Sequence, residues 1–389
     1  MHKYSIFSTQ LMTEWKIPHY KVFVEKEDVS QISKIIKRGM FWALGPEIDE
    51  FEKSIAKFVG SKYCVSFNSG TSSLHASLLS LNLKAKSEII VPSFTFIATV
   101  NSALMVNSIP KFIDIENERF GINPQLINSQ ITNKTQVIIP VHYSGCPCKI
   151  EEIQDIAKKN KLFLIEDAAE ALGSKSKNTS IGTFGDLAIF SFAGNKSLTT
   201  GEGGCVVTNS KKFFDKLKLL RSHGRNENQN YFSSTSTPEY VQLGYNWRMS
   251  SITAAIGISQ LSKIKKIISM RRKLAKNYTK KLKNLSAIEV PQEPKEVFHT
   301  YQFYNILLPN SIIRDNLLKY LEQKGIMTKV FFYPVHLTKF YKQNLKKTVL
   351  PITENISNRI LSLPLYPGMN KEEQSYVCDS IFEYFEKSQ

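Results

Sequence analysis

Three short stretches carry residue types that can do chemistry together. In residues 186–204, DLAIFSFAGNKSLTTGEGG, Lys196 lies on a run of small polar residues. That run begins just past the apolar, strand-length segment Asp186–Phe190 and ends at the flexible Gly201-Glu202-Gly203-Gly204. Most lysines are solvated loop residues, so Lys196 alone says little. The second stretch, Leu162–Ala169, is a continuous apolar run ending in Glu166-Asp167. This is the pattern of a central parallel strand whose carboxyl end opens into a crevice. The third, Asn68-Ser69-Gly70-Thr71-Ser72-Ser73-Leu74-His75, is a polar turn between a strand and a helix. Free amides at a helix start, flanked by hydroxyls, make an anion site.

An anion site, a strand-end carboxylate and a lysine on a small-residue loop suggest pyridoxal phosphate. The phosphate would anchor at Gly70, Thr71 and Ser72. A carboxylate would keep the pyridine nitrogen protonated, and Lys196 would bind the cofactor as a Schiff base. Glu166 and Asp167 compete for the carboxylate role.

The elements that must position these groups alternate along the chain. Apolar strands are expected near 63–67, 88–91, 111–115, 136–140, 162–166, 187–190 and 204–208, with amphipathic helices between them. Alternation of this kind argues for an α/β fold with a mostly parallel seven-stranded sheet covered on both faces. Ahead of it, helices are expected at Glu27–Arg38, stopping at Gly39, and at Glu47–Phe58 after Gly45-Pro46. Beyond it, a long helix should run from the LGYNWRMSS stretch through Lys283. A smaller α+β domain should follow, with strands at Tyr301–Leu308 and Met327–Val330 and helices at 313–323 and 371–386. The expected organisation is an N-terminal arm over 1–26, a large domain over 27–260 and a small domain over 261–389. The polar stretch 226–239 reads as a loop over or between active sites.

Composition narrows the function classes. With 389 residues, 42% hydrophobic and 22% charged, the chain can build a large core and two domains. No apolar stretch approaches the roughly 20 residues that span a bilayer, and the N-terminus has no sustained apolar segment. A cytoplasmic protein is expected. Five scattered cysteines form no CxxC pair and no zinc pattern, so reduced buried thiols and no metal are expected. The net charge of +17 is concentrated in Lys263–Lys283, which contains no acid. A solvated helix face, or attraction of an acidic nucleotide-sugar, accounts for this better than nucleic-acid binding.

FSFAGNKSLTTGEGG, IEDAAEALGS, NSGTSSLH, VPSFTFIATVNSAL, LGYNWRMSSITAAIG, KVFFYPVHLTKFY and LSLPLYPG resemble motifs of the DegT/StrS-type family of pyridoxal-phosphate sugar aminotransferases. The resemblance runs from about Pro18 to about Glu386, and GTFGD before FSFAGNK points to the GDP-perosamine synthase branch. It implies a fold type I aminotransferase that moves the amino group of glutamate to C4 of a nucleotide-linked 4-keto-6-deoxy sugar, for surface glycan or O-antigen synthesis. It also implies roles. Lys196 would hold the cofactor and shuttle a proton, and Asp167 rather than Glu166 would pair with the ring nitrogen. Phe96 would stack on the ring, Glu170 would sit near its phenolic oxygen, and Ser191 would join Gly70, Thr71 and Ser72 on the phosphate. Asn246 would reach the phosphate of a second subunit, making a homodimer with shared sites. His299, Phe331, Tyr333 and His336 would shape the sugar pocket.

Amination at C3, or of another nucleotide-sugar, is the alternative within the family. A basic nucleic-acid-binding or regulatory module on the same fold is a remote one, since every catalytic position is filled.

Overall fold

The computed structural model describes residues 15–226, 234, 235, 237–345 and 347–387. Most of the expected arm and most of the 226–239 loop therefore lie outside the described residues. A seven-stranded sheet forms the centre. Across it the strands run Tyr63–Phe67, Gly204–Thr208, Leu187–Ser191, Phe163–Asp167, Thr135–Ile138, Glu88–Pro92 and Ile109–Ile113. All neighbours pair in parallel except Gly204–Thr208, which is antiparallel to both strands beside it. The strands are apolar throughout because helices cover both faces. One face packs with Leu164, Ala188, Phe190 and Val207, the other with Ile165, Leu187, Ile189 and Val206.

The two leading helices fall where their caps place them, Lys26–Arg38 closed by Gly39 at φ 72° and Pro46–Val59 closed by Gly60 at φ 92°. The expected long helix is two. Ser251–Ser262 ends at Lys263, and Ile264–Leu282 begins beside it. That second helix belongs to two cores: Ile264, Ile267 and Ile268 pack in the sheet's core, while Leu274, Ala275, Tyr278 and Leu282 pack in the C-terminal one.

The C-terminal strands also differ from expectation. Tyr304–Leu307 pairs antiparallel with Ile360–Leu363, whereas the 327–330 stretch makes only a single bridge, Lys329 with Ser362. Four residues directly after the helix Pro351–Arg359 are too few to show an alternation in sequence. The helices Ser311–Gln323 and Lys371–Lys387 match the reading closely. Ile17, from the segment read as an arm, is buried in this C-terminal core and bridges to Ile326.

The basic helix is only partly a solvated face. Arg271 is buried and donates to the carbonyls of Tyr301, Gln302 and Leu365. Lys263 pairs with Asp28, and Arg272 with Glu293. Lys273, Lys276, Lys280 and Lys283 line an open groove. All five cysteines are free and buried, as composition suggested. Among the described residues no helix is long and apolar enough to cross a membrane.

Candidate active site

A cavity of about 360 Å³ opens at the carboxyl ends of the parallel strands. Into it the fold brings Gly70, Thr71, Phe96, Asp167, Glu170, Ser191, Lys196 and Phe331. They arrive from several segments of the chain, and each placement has a local reason.

Asp167 is the last residue of its strand. Successive strand side chains point to opposite faces, so it and Glu166 cannot serve the same site. Glu166 faces away and is fully used. It accepts the amides of Gly182, Phe184 and Gly185 at 2.8–2.9 Å and lies 3.1 Å from His142 Nε2. Since His142 Nδ1 accepts the Cys148 amide, Nε2 carries the proton and donates to Glu166. His142 is thus a fixed structural residue. Asp167 accepts only the Thr99 hydroxyl at 2.7 Å and the Ala169 amide at 3.2 Å. Burial pushes its carboxyl above the ordinary range, against the pull of those bonds, Lys196 and His142.

Lys196 follows the strand Leu187–Ser191 on a tight loop, its amide bonded to the Ala193 carbonyl. Gln302, from the C-terminal portion, clamps this loop. Its Oε1 accepts both the amide and hydroxyl of Ser197 at 2.9 Å, and its Nε2 donates to the Asn195 carbonyl at 2.7 Å. The ammonium Nζ lies 3.2 Å from Glu170 Oε1. Glu170 Oε2 accepts the Ser144 amide at 2.7 Å, and burial raises its carboxyl's proton affinity, with Lys196 opposing.

The anion cradle starts the helix Gly70–Ser80, capped by Ser69. Gly70 is favoured by close contact: a Cβ there would sit 3.0 Å from the Ser191 Cβ. Gly204 is required, since a Cβ would come within 2.6 Å of the Ser69 carbonyl and the Gly70 amide. Ser72, expected in the phosphate set, is placed in the helix cap instead of on the cavity wall. Its hydroxyl donates to Asn68 Oδ1 and its amide to Ser69 Oγ, completing the cap, and it does not line the cavity. Gly70, Thr71 and Ser191 line the cavity.

Phe96 is 59% exposed, at the start of the helix Ile97–Met105, and lines the mouth. Phe331 stacks on Phe303 with centroids 4.4 Å apart, and both join Phe332 in an aromatic wall. Three residues expected to shape the sugar pocket do not line this cavity. His299 is buried, stacked on Tyr301, with Nδ1 accepting the Tyr301 amide; burial and Arg272 hold it down at about 3. His336 is buried between Ser93 Oγ at 2.6 Å and Glu354 Oε1 at 3.2 Å, which fastens its segment to the strand end. Tyr333 is exposed and does not line the cavity. Asn246 is exposed and also absent from the cavity of its own chain. It sits on an extended segment held by Tyr245 and Trp247 to residues 220–223, and by the Trp247 carbonyl to the Asn68 amide.

Thr95, Thr99, Phe303, Phe332 and Gln302 complete the site without a sequence signal of their own. Thr95 and Thr99 stand inside VPSFTFIATVNSAL, where Phe96 drew the attention. Gln302 comes from the far end of the chain.

The donor set fits a phosphorylated pyridine aldehyde. Gly70, Thr71 and Ser191 at a helix start and strand end, a buried carboxylate on Asp167, the Lys196 amine and the Phe96 ring all line one cavity. Fold and site therefore define an aminotransferase. Residues 23–382 match the DegT/DnrJ/EryC1/StrS aminotransferase family, and the chain belongs to it. It is 37% identical over 369 residues to GDP-perosamine synthase of Escherichia coli O157:H7, covering 95% of this chain and 98% of that one. It is 33% identical to UDP-4-amino-4,6-dideoxy-N-acetyl-beta-L-altrosamine transaminase of Campylobacter jejuni, covering 94% and 96%. Helicobacter pylori PseC, an aminotransferase involved in the biosynthesis of pseudoaminic acid, superimposes with a TM-score of 0.90 at 28% identity, covering 95% of this chain and 99% of that one.

Proposed function

We propose that this sugar aminotransferase uses pyridoxal phosphate held by Lys196 to move an amino group from glutamate to the C4 keto carbon of a nucleotide-linked 4-keto-6-deoxy sugar. The observation that carries the cofactor reading is the single cavity in which Lys196, Asp167 and the amides of Gly70 and Thr71 converge. Support for C4 comes from the relatives: one is a GDP-perosamine synthase, and another is named for a UDP-linked 4-amino-4,6-dideoxy sugar.

When bound, the cofactor supplies an electron sink that stabilises a carbanion next to the transferred nitrogen. The chain does the rest. Asp167 offers the ring nitrogen a buried negative charge, which favours its protonated form. Gly70, Thr71 and Ser191 hold the phosphate, aided by the positive end of the helix Gly70–Ser80. Phe96 presents a ring face at the mouth. Lys196 would hold the cofactor and is the amine placed to carry a proton, with Glu170 at 3.2 Å as its counter-charge. The aromatic wall of Phe303, Phe331 and Phe332 keeps water from the reacting atoms.

The test is a screen of 4-keto and 3-keto nucleotide-sugars, guanosine- and uridine-linked, with glutamate, read by mass spectrometry. A mass change for 4-keto substrates supports the reading. A change only with 3-keto sugars moves the reaction to C3. Borohydride reduction and peptide mapping should label Lys196, and label on another lysine overturns the site.

A further inference from the structure

Asp167 has company at its end of the cavity. The Thr99 hydroxyl lies 2.7 Å from Asp167 Oδ2, and the Thr95 and Thr99 hydroxyls lie 2.8 Å apart. Counting protons fixes the direction of this chain. An ionised carboxylate only accepts, so Thr99 gives its single proton to Oδ2. The contact between the hydroxyls must then use the proton of Thr95. Both threonines are at least 98% buried and line the cavity.

Backbone geometry adds to this. Thr99 is in the first turn of the helix Ile97–Met105, with its amide donating to the Phe96 carbonyl at 3.1 Å. The positive end of that helix therefore lies beside the same carboxylate. Where Glu166 is saturated by four donors, Asp167 receives two, leaving acceptor capacity on a fully buried charge. A purely structural carboxylate has no reason to be left short.

We infer that Thr99, held by Thr95, is a positioning residue that keeps Asp167 ionised and oriented toward a cationic ring nitrogen, and so sets how strongly the cavity prefers a protonatable ring to a neutral one. The inference rests on the reading of Asp167 as the partner of that nitrogen. Removing the Thr99 hydroxyl leaves the charge with one amide donor, and the preference for the nitrogen ring weakens.

The experiment compares dissociation constants of pyridoxal phosphate and of its analogue with carbon in place of the ring nitrogen, measured by fluorescence titration on the full chain. Attachment through Lys196 is common to both ligands and cancels in the ratio. Thr99→Val should lose about tenfold of the wild-type preference, the scale of one hydrogen bond to a charged group. Thr99→Ser should keep the preference, since it keeps the hydroxyl. Thr95→Val, which removes the second donor and leaves Thr99 in place, should shift the ratio the same way and serves if Thr99→Val does not fold. An unchanged ratio in the valine variants, or a loss in Thr99→Ser as large as in Thr99→Val, overturns the inference. Asp167→Asn separates the two readings. If it keeps the wild-type ratio, the assignment of Asp167 itself fails. If it abolishes the ratio while Thr99→Val does not, only the role of Thr99 falls.

Discussion

Lys196 Nζ and Glu170 Oε1 face each other at 3.2 Å inside the cavity, and Glu170 is tied on its other side to the Ser144 amide. Ser144 in turn accepts the Gln302 amide, and Gln302 clamps the loop carrying Lys196. The carboxylate and the amine are thus fixed through one shared set of bonds.

Glu170→Gln keeps the shape and an acceptor for Ser144 but removes the charge facing Lys196. Turnover should fall at least tenfold while borohydride still labels Lys196. Glu170→Ala should in addition lower stability by about 1–3 kcal/mol, because the buried Ser144 amide is left unpaired. Steady-state rates and chemical denaturation check the two effects. Wild-type turnover in Glu170→Gln would remove the residue from the mechanism.

Asp167→Asn and Glu166→Gln should behave oppositely despite their adjacency. Asp167→Asn should fold normally and lose turnover by orders of magnitude, since a neutral amide cannot hold a ring nitrogen protonated. Glu166→Gln places an NH₂ group among four hydrogen-bond donors and should cost on the order of 2–4 kcal/mol of stability. Whatever Glu166→Gln protein folds should retain most of its turnover per bound cofactor. A reversed pattern would exchange the two assignments.

The raised Asp167 carboxyl makes a pH prediction for cofactor-free protein. Between its ordinary value of 3.8 and the higher folded-state value, the folded protein binds more protons than the unfolded chain. Stability from this group is therefore present at low pH and lost as pH rises through that window. Asparagine does not titrate, so Asp167→Asn should gain stability relative to wild type as pH rises from about 4 to 7. Melting curves of both cofactor-free proteins across that range test it; a pH-independent difference contradicts it.

Asn246 is exposed and outside its own chain's cavity, and we propose that it contacts the phosphate in another subunit. Mixing Lys196→Ala with Asn246→Ala protein should restore activity, because a heterodimer then holds one site free of both defects. If each chain used its own Asn246, every heterodimer site would carry a defect and mixing would restore nothing. A fully active monomer by light scattering rejects the shared site altogether.

Much of this protein was legible in its sequence because the relevant signals are local. Seven apolar runs, alternating with amphipathic helices, specify a covered parallel sheet, and Gly39 and Pro46 punctuate the helices through backbone sterics alone. The turn at Gly70, the acid ending an apolar run and a lysine just past a strand end mark the crevice in the sequence itself. Tertiary structure decided what local pattern cannot carry. Pleat direction, set by the strand's place in the sheet, sent Glu166 into a shell of amides and Asp167 into the cavity. A long-range partner, the Ser93 hydroxyl, took up His336, while burial left His299 against the amide and ring of its near neighbour Tyr301, since a buried imidazole takes whatever acceptors and donors packing brings to it. Gln302 reached the lysine loop, and Thr95 and Thr99 reached Asp167, across separations at which sequence spacing holds no geometric information.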